Sequence, residues 1–441
     1  MNNKDHKISD KSDKMTMILP GDLQEYLSNY DNQIYDIARS KDDESHLSLK
    51  SDIYEKLDNI YELGDKTDNF SEAKLLYLKN FVDTYLSDKI LEFNDRIKNR
   101  ITIMDKLNSL KDLELPEQRS EEWYAIRETI LTASSLADAI GEGHFSTKDQ
   151  LLIQKCGGPR GDIPFQIVEW GVMYEPVATK FYERMNQLTI LEFGLVPHPE
   201  FKIFGASPDG ICDSDSPPDY IGRMLEIKCP PKRQFTKEVP SHYWMQMQGQ
   251  LECCDLEECD FLQVKFIEYS SEKEYNDDLL KDGTGGIKEG YTSNNLPKGL
   301  LLAFVRDPQG DSKNPTIHYE YCDFYQSRDE LRDWSSKVIE GHPEVDYDRV
   351  IEHWWKIERY ECTLVGRDRK WWLSVQPKII DFWEDVLHYR EVGIQVFHDL
   401  KAEKRTKKIR LKKPSQKKKN TFSIDKAVVE QIQNNYLIDS D

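Results

Sequence analysis

The sequence predicts an α/β domain, a mixed sheet flanked by helices, preceded by a helical domain of its own, and three observations lead there. Apolar residues recur at helical intervals through 19–113, as in Ile53, Leu57, Ile60 and Leu63, then Leu75, Leu78, Phe81 and Val82. Short runs alternating apolar and polar residues, stopped by proline or glycine, appear between 201 and 269. Helical patterns at 167–185 and from Tyr243 onward separate those runs, which is the order of a sheet with helices packed on it.

Taken in order, residues 1–15 are polar and read as a disordered start, and 16–115 as an acidic helical domain. Residues 116–400 form the α/β domain with a C-terminal extension, its motif-bearing core at 120–270. In 167–185 the stripe Ile167, Trp170, Tyr174, Val177, Phe181 and Met185 marks a helix, with Pro176 as the place where it starts or kinks. Phe201-Lys-Ile-Phe-Gly205 reads as a strand running into the turn Ser207-Pro208-Asp209-Gly210. The run Arg223-Met-Leu-Glu-Ile-Lys-Cys229 reads as a second strand stopped by Pro230 and Pro231, which cannot donate to a ladder. Residues 260–269 supply a third strand, and 270–298, rich in Gly, Asp, Asn and Ser, reads as a flexible insertion. Leu300 to Val305 and Thr316 to Tyr321 suit a hairpin turning at 307–310, and 378–387 suits a helix. Six of the nine tryptophans fall between Trp334 and Trp383; core packing is the reading preferred over stacking on bases.

The net charge of −20 is uneven. Residues 401–419 hold eleven basic side chains and one acidic one, Glu403, giving this low-complexity tail +10 and the rest of the chain −30. The tail suits electrostatic capture of DNA, with a nuclear import signal or a linker to the short amphipathic segment in 420–441 as the other uses. No apolar run reaches the roughly 18 residues of a membrane span, so no membrane is expected and the chain reads as soluble and intracellular. The eight cysteines form no Cys-x-x-Cys pair, which argues for reduced thiols and against a zinc or iron–sulfur centre built on them.

The chemistry concentrates in four stretches: Trp123-x-x-x-Arg127 with Thr132-Ala133-Ser134; Trp170-Gly171-x-x-Tyr174-Glu175; Ser207-Pro208-Asp209 with Glu226-Ile227-Lys228; and Tyr243-x-x-Gln246-x-Gln248. Hydrolysing a phosphodiester near neutral pH takes a nucleophile made from water and a counter-charge for the anion that develops, both of which Mg²⁺ supplies. Mg²⁺ prefers oxygen ligands and keeps several waters, so two or three carboxylates suffice: Asp209, Glu226 and Glu175. Alternation along the strand puts Glu226 and Lys228 on one face while Ile227 points to the core. Singly, Asp-Gly after proline is a common turn and Glu-x-Lys a common solvated strand face; their combination points to a catalytic site.

At these residues the chain resembles the lambda-exonuclease type of viral recombination nuclease, the YqaJ-like branch of the PD-(D/E)XK superfamily, over about 120–270. The resemblance implies a restriction-endonuclease-like core and a catalytic set of Asp209, Glu226, Lys228 and Gln246, with Tyr243 and Gln248 in support. It implies metal ligands Glu175, Asp209, Glu226 and the carbonyl of Ile227 for two Mg²⁺ ions, with Mn²⁺ as a substitute. Arg127 and Ser134, seven apart, match the pair that holds a terminal 5′ phosphate; a guanidinium fork and a hydroxyl suit that group. A Mg²⁺-dependent 5′-to-3′ exonuclease resecting double-stranded DNA ends for viral recombination follows as the expectation. So do a single-strand annealing partner, a homo-oligomer, and work in the host cytoplasm rather than the nucleus. Two alternatives stay open: an endonuclease or flap- and junction-processing enzyme with the same residues, and a non-catalytic scaffold that binds DNA ends.

Overall fold

A computed structural model describes residues 20–40, 43–62, 69–159, 165–281, 283–284, 286–307, 315–343 and 347–411. The start at 1–15, the turn at 308–310 and the segment 420–441 lie outside them.

Helices α1 (Pro20–Ser28), α2 (Asp31–Ser40) and α3 (Asp43–Glu62) pack against the first half of α4 (Asn69–Lys111). Leu27, Ile34, Ile53, Val82 and Leu86 close their shared core. With 43 residues, α4 runs about 65 Å, and its far end belongs to a different core. Leu107 and Leu110 are buried among Leu131, Leu136, Leu256 and Phe204 of the α/β domain. Lys106 Nζ reaches Asp255 Oδ2 at 2.9 Å, and Lys111 Nζ reaches Asp213 Oδ1 at 2.5 Å. Helix α4 thus ends at Lys111, just before the boundary expected at 115–116, and contributes side chains to both cores. Gly222, with φ +72°, lies under it: a Cβ there would come within 2.4 Å of Ile103 Cγ2.

The next part begins with α5 (Glu121–Thr129), capped by Ser120 Oγ, then β1 (Leu131–Thr132), a 3-10 turn (Ala133–Ser135), α6 (Leu136–Ala139) and α7 (Lys148–Lys155). Helix α8 (Phe165–Asn186) runs unbroken through Pro176, neither starting nor ending there. Strands β2 (Ile190–Leu191), β3 (Val196–Pro197), β4 (Phe204–Ala206), β5 (Gly210–Cys212) and β6 (Met224–Lys228) follow. β4 is shorter than the expected run from Phe201, because His198 Nδ1 accepts the backbone N–H groups of Glu200 and Phe201 and holds that stretch in a turn.

Helix α9 (Ser241–Cys254) crosses over to β7 (Glu258–Glu268), parallel to β6. Then come α10 (Glu272–Asp277), β8 (Leu280–Lys281), β9 (Ile287–Lys288), β10 (Lys298–Arg306), β11 (Thr316–Tyr321), α11 (Arg328–Gly341), β12 (Arg349–Gly366), α12 (Arg369–Val392) and α13 (Ile394–Leu411). The sheet order is β11-β10-β12-β7-β6-β5-β2, with β6–β7 the parallel pair and every other neighbour antiparallel. A smaller sheet, β1-β4-β3, lies beside it.

Alternation along the central strands builds two cores. Met224, Cys259 and Phe261 join the one under α9 and α12, whereas Leu225, Ile227, Leu262, Val264 and Phe266 join the one under α8. Trp354, Trp355, Trp372 and Trp383 are buried in cores, the packing use expected for them.

One expectation needs correcting. The supposed flexible insertion at 270–298 carries α10 and the β8–β9 ladder, and Lys298 Nζ, buried within it, donates to the carbonyls of Tyr275 and Asp278. Asp278 in turn accepts from Ser293 N at 2.8 Å, Tyr269 Oη at 2.7 Å and Lys356 Nζ at 2.9 Å. Buried polar partners order a segment whose composition suggested none. The basic stretch from Lys401 begins inside α13, since lysine and arginine are good helix formers and Pro414 comes after the helix has ended at Leu411. Among the described residues no helix is long and apolar enough to cross a membrane, and all eight cysteines are free thiols.

Candidate active site

Asp209 sits in the turn between β4 and β5, and its Oδ2 accepts the backbone N–H of Ile227 at 2.7 Å, which ties the turn to β6. Gln118 braces the same turn by donating to the carbonyls of Pro208 and Phe193. Glu226 is fully buried on the β6 face covered by α9. Its Oε1 takes the Lys228 ammonium and Gln246 Nε2, the latter at 2.7 Å. Its Oε2 takes Gln250 Nε2 at 2.7 Å. Lys228 lies 5.1 Å from the centre of the Tyr243 ring.

Glu175 arrives from α8. The preceding Tyr174 is pinned beneath, stacked on Phe266 at 4.4 Å and donating to Glu268 Oε1 at 2.9 Å, which holds the turn of helix that carries Glu175. Both oxygens of Glu175 accept from one nitrogen of Arg119, at 3.1 and 3.2 Å.

The electrostatics follow from crowding three carboxylates. Burial and then the charges of Glu226 and Glu175 push the Asp209 carboxyl well above its usual range. Burial also raises Glu175, with Arg119 and Lys228 pulling the other way. For Lys228 burial works against the charge, but Glu226 and Asp209 outweigh it and hold the ammonium above its ordinary value.

Arg127 stacks on Trp123 at 4.2 Å and donates to Ser134 Oγ at 3.2 Å, and Ser134 Oγ also meets Thr132 Oγ1. Trp123 Nε1 donates to Ser207 Oγ at 3.0 Å, which links this cradle to the turn that carries Asp209. A cavity of about 180 Å³ is lined by Arg119, Arg127, Ser134, Glu175, Asp209 and Gln246, among others. A second, of about 520 Å³, shares Gln118, Arg119, Glu175 and Asp209 and is walled by Leu110 and Lys111 of α4.

The structure thus brings together Asp209, Glu226, Lys228, Gln246, Glu175, Arg127, Ser134 and Tyr243. Gln248 stands apart: its amide donates to the Gly366 carbonyl and accepts from Asp368 N, clamping α9 to the end of β12. Gln250 takes the place expected of it. The signal was available, since residues four apart share a helix face and residues two apart do not. Arg119 had no such signal, and its backbone at φ 69° is unusual for a side chain of that size.

Residues 122–257 match the YqaJ-like viral recombinase domain. An uncharacterized protein of Acanthamoeba polyphaga mimivirus is 30% identical over 310 residues, 65% of this chain and 55% of that protein. A protein of African swine fever virus is 26% identical over 160 residues, 31% of this chain and 46% of that one. The chain thus spans about half the length of these curated relatives. Among solved structures, the alkaline exonuclease of Laribacter hongkongensis aligns over 64% of this chain and 100% of its own, at 18% identity and a TM-score of 0.35. A phage-related exonuclease of Haemophilus somnus aligns over 61% and 96%, at 14% identity and a TM-score of 0.31. The matched residues, which carry Arg127, Glu175, Asp209, Glu226 and Gln250, are thus similar to the YqaJ-like viral recombinase domain.

Proposed function

We propose that this protein is a divalent-metal-dependent deoxyribonuclease that degrades double-stranded DNA from a 5′-phosphorylated end. The observation that carries this reading is that Asp209 and Glu175 line the same small cavity as Arg127 and Ser134, so reacting groups and an end-phosphate cradle share one space. The donors fit a hard cation: carboxylate oxygens crowd until Asp209 resists ionising, and a divalent charge relieves that crowding. Asp209, Glu175, Glu226 and the Ile227 carbonyl are the proposed ligands of Mg²⁺, which supplies the activated water and the counter-charge for the phosphate.

The protein's own groups have distinct tasks in this reading. Lys228, paired with Glu226, presents its ammonium as a charge and hydrogen-bond donor toward the attacking oxygen. Gln246 and Gln250 grip the two oxygens of Glu226 and set its orientation. Arg127, flattened on Trp123, presents its fork to a terminal phosphate with the Ser134 hydroxyl beside it. Arg119 occupies Glu175, so any cation at that carboxylate competes with a guanidinium. Resection for viral recombination, beside a protein that coats the exposed strand, is the setting this activity suits.

The test is digestion of end-labelled linear duplex with Mg²⁺, comparing 5′-phosphate with 5′-hydroxyl ends. Mononucleotides released from the phosphorylated end, and none from Asp209→Ala, are the expected result. Cuts in closed circular DNA would move the reading to an endonuclease, and binding without cleavage to a scaffold.

A further inference from the structure

β11 is the outermost strand of the large sheet, and alternation places His318 and Glu320 on one of its faces. Opposite them stands His342, the residue that follows α11. His342 Nδ1 lies 2.9 Å from the Val338 carbonyl, and a carbonyl can only accept, so Nδ1 carries a proton and, in the neutral ring, Nε2 keeps its lone pair. The His342 ring is also stacked on buried Phe304, with centroids 4.1 Å apart and planes at 18°. Its Nε2 faces Glu320 Oε1 at 3.6 Å, too far for a good hydrogen bond, while His318 Nε2 is 2.9 Å from the same oxygen.

From this geometry we infer that His318, Glu320 and His342 form a binding site for one zinc-type transition-metal ion, distinct from the carboxylate centre. The ligand atoms all lie within 4.8 Å of one another. Tetrahedral zinc with bonds of about 2.0–2.1 Å separates its ligands by about 3.3 Å. The 2.9 and 3.6 Å spacings bracket that distance. Two imidazoles and one carboxylate suit Zn²⁺ or Co²⁺ over Mg²⁺, and the partial exposure leaves a fourth position for water. An orienting bond from the second ring nitrogen to a carbonyl is what metal-bound histidines ordinarily have.

Strands β10, β12 and β7 separate β11 from β6. Four strand spacings of about 4.8 Å give an offset of about 19 Å across the sheet. Along β12 the register of His318 at Val350 is about 40 Å from that of Glu226 at Thr363, so the site is well separated from the carboxylate centre. Its role is structural: the ion fastens the free edge strand to the end of α11 and blunts an edge that would otherwise be open to pairing. The inference does not rest on the nuclease reading.

The test uses the full chain, stripped with chelator and dialysed against Zn²⁺, in an Asp209→Ala/Glu175→Ala background that disables the carboxylate centre. One equivalent of tightly held zinc, a rise in Tm on adding it, and tetrahedral Co²⁺ absorption are expected. All three are lost in His342→Ala and in His318→Ala, whose parent side chain is mostly exposed so that its loss spares the fold. Equal Tm values for all variants in chelator check that folding is intact. No bound zinc in the background protein, or zinc retained by both histidine variants, would overturn the site and leave a surface ion pair.

Discussion

Glu226 is a carboxylate removed from water and held by three donors, and that arrangement makes its partners unequal. Losing Gln250 strips from Oε2 its one side-chain donor among the described residues, whereas losing Gln248 cuts a clamp between α9 and the residues after β12. Gln250→Ala should therefore lower kcat by about 10- to 100-fold, as losses of ligand-orienting groups do, with KM little changed. Gln248→Ala should instead cost about 1–3 kcal/mol of stability while leaving turnover of the folded enzyme near wild type. Steady-state kinetics beside urea unfolding separate the two, and equal kinetic losses would refute the assignment. Arg119 gives a prediction of the opposite sign. Its guanidinium is half exposed, so the ion pair with Glu175 is worth little in stability, yet under the proposed function a metal would have to displace it. Arg119→Ala should tighten Mg²⁺ or Mn²⁺ binding by about two- to fivefold in calorimetric titration; unchanged or weaker binding would show that the arginine does not compete.

Helix α4 closely approaches the loop before β6 at Gly222. Gly222 combines a positive φ with a Cβ path blocked by Ile103, so Gly222→Ala should destabilise by about 2 kcal/mol or more. Adding Ile103→Ala should return the steric part and leave a backbone penalty of about 1 kcal/mol; a double-mutant cycle by chemical unfolding reads both.

The segment after β7 supplies the pH dependence. Burial would raise the Asp278 carboxyl, but the Ser293 N–H, Lys356 and the Tyr269 hydroxyl outweigh it and hold the group well below its ordinary value. The unfolded chain then binds the proton more readily than the folded one, so this contribution is complete above the usual carboxylate pKa of about 3.9 and fades as pH falls below it. The stability gap between wild type and Asp278→Asn should accordingly be largest near pH 5 and shrink toward pH 3. A gap that widened on acidification would contradict the sign.

Across the molecule, the C-terminal end of α4, and not the bundle on its first half, borders the site, walling the larger of the two cavities described through Leu110 and Lys111. Deleting residues 1–62 should leave a folded, metal-binding protein. Deletion through Lys111 removes Leu107 and Leu110 from the main core and should abolish cooperative unfolding, as followed by circular dichroism.

The amino-acid order was enough to reveal whatever depends on neighbours in the chain. Pro230 ends β6, alternation puts Glu226 and Lys228 on one face with Ile227 inward, and heptad-like spacing makes the N-terminal region helical. Periods of 2 and 3.6 are local properties of the backbone, so these features need no fold to be seen. Other features depend on which distant surfaces meet. Gln250 rather than Gln248 faces Glu226 because clamps from 366–368 fix the rotation of α9. Arg119 finds Glu175 across 56 positions, and α4 lies on Gly222. His342 comes to Glu320 because α11 ends against the edge strand. Those meetings are set by packing of the whole chain, where burial of apolar faces outweighs any local preference and leaves no mark on sequence spacing.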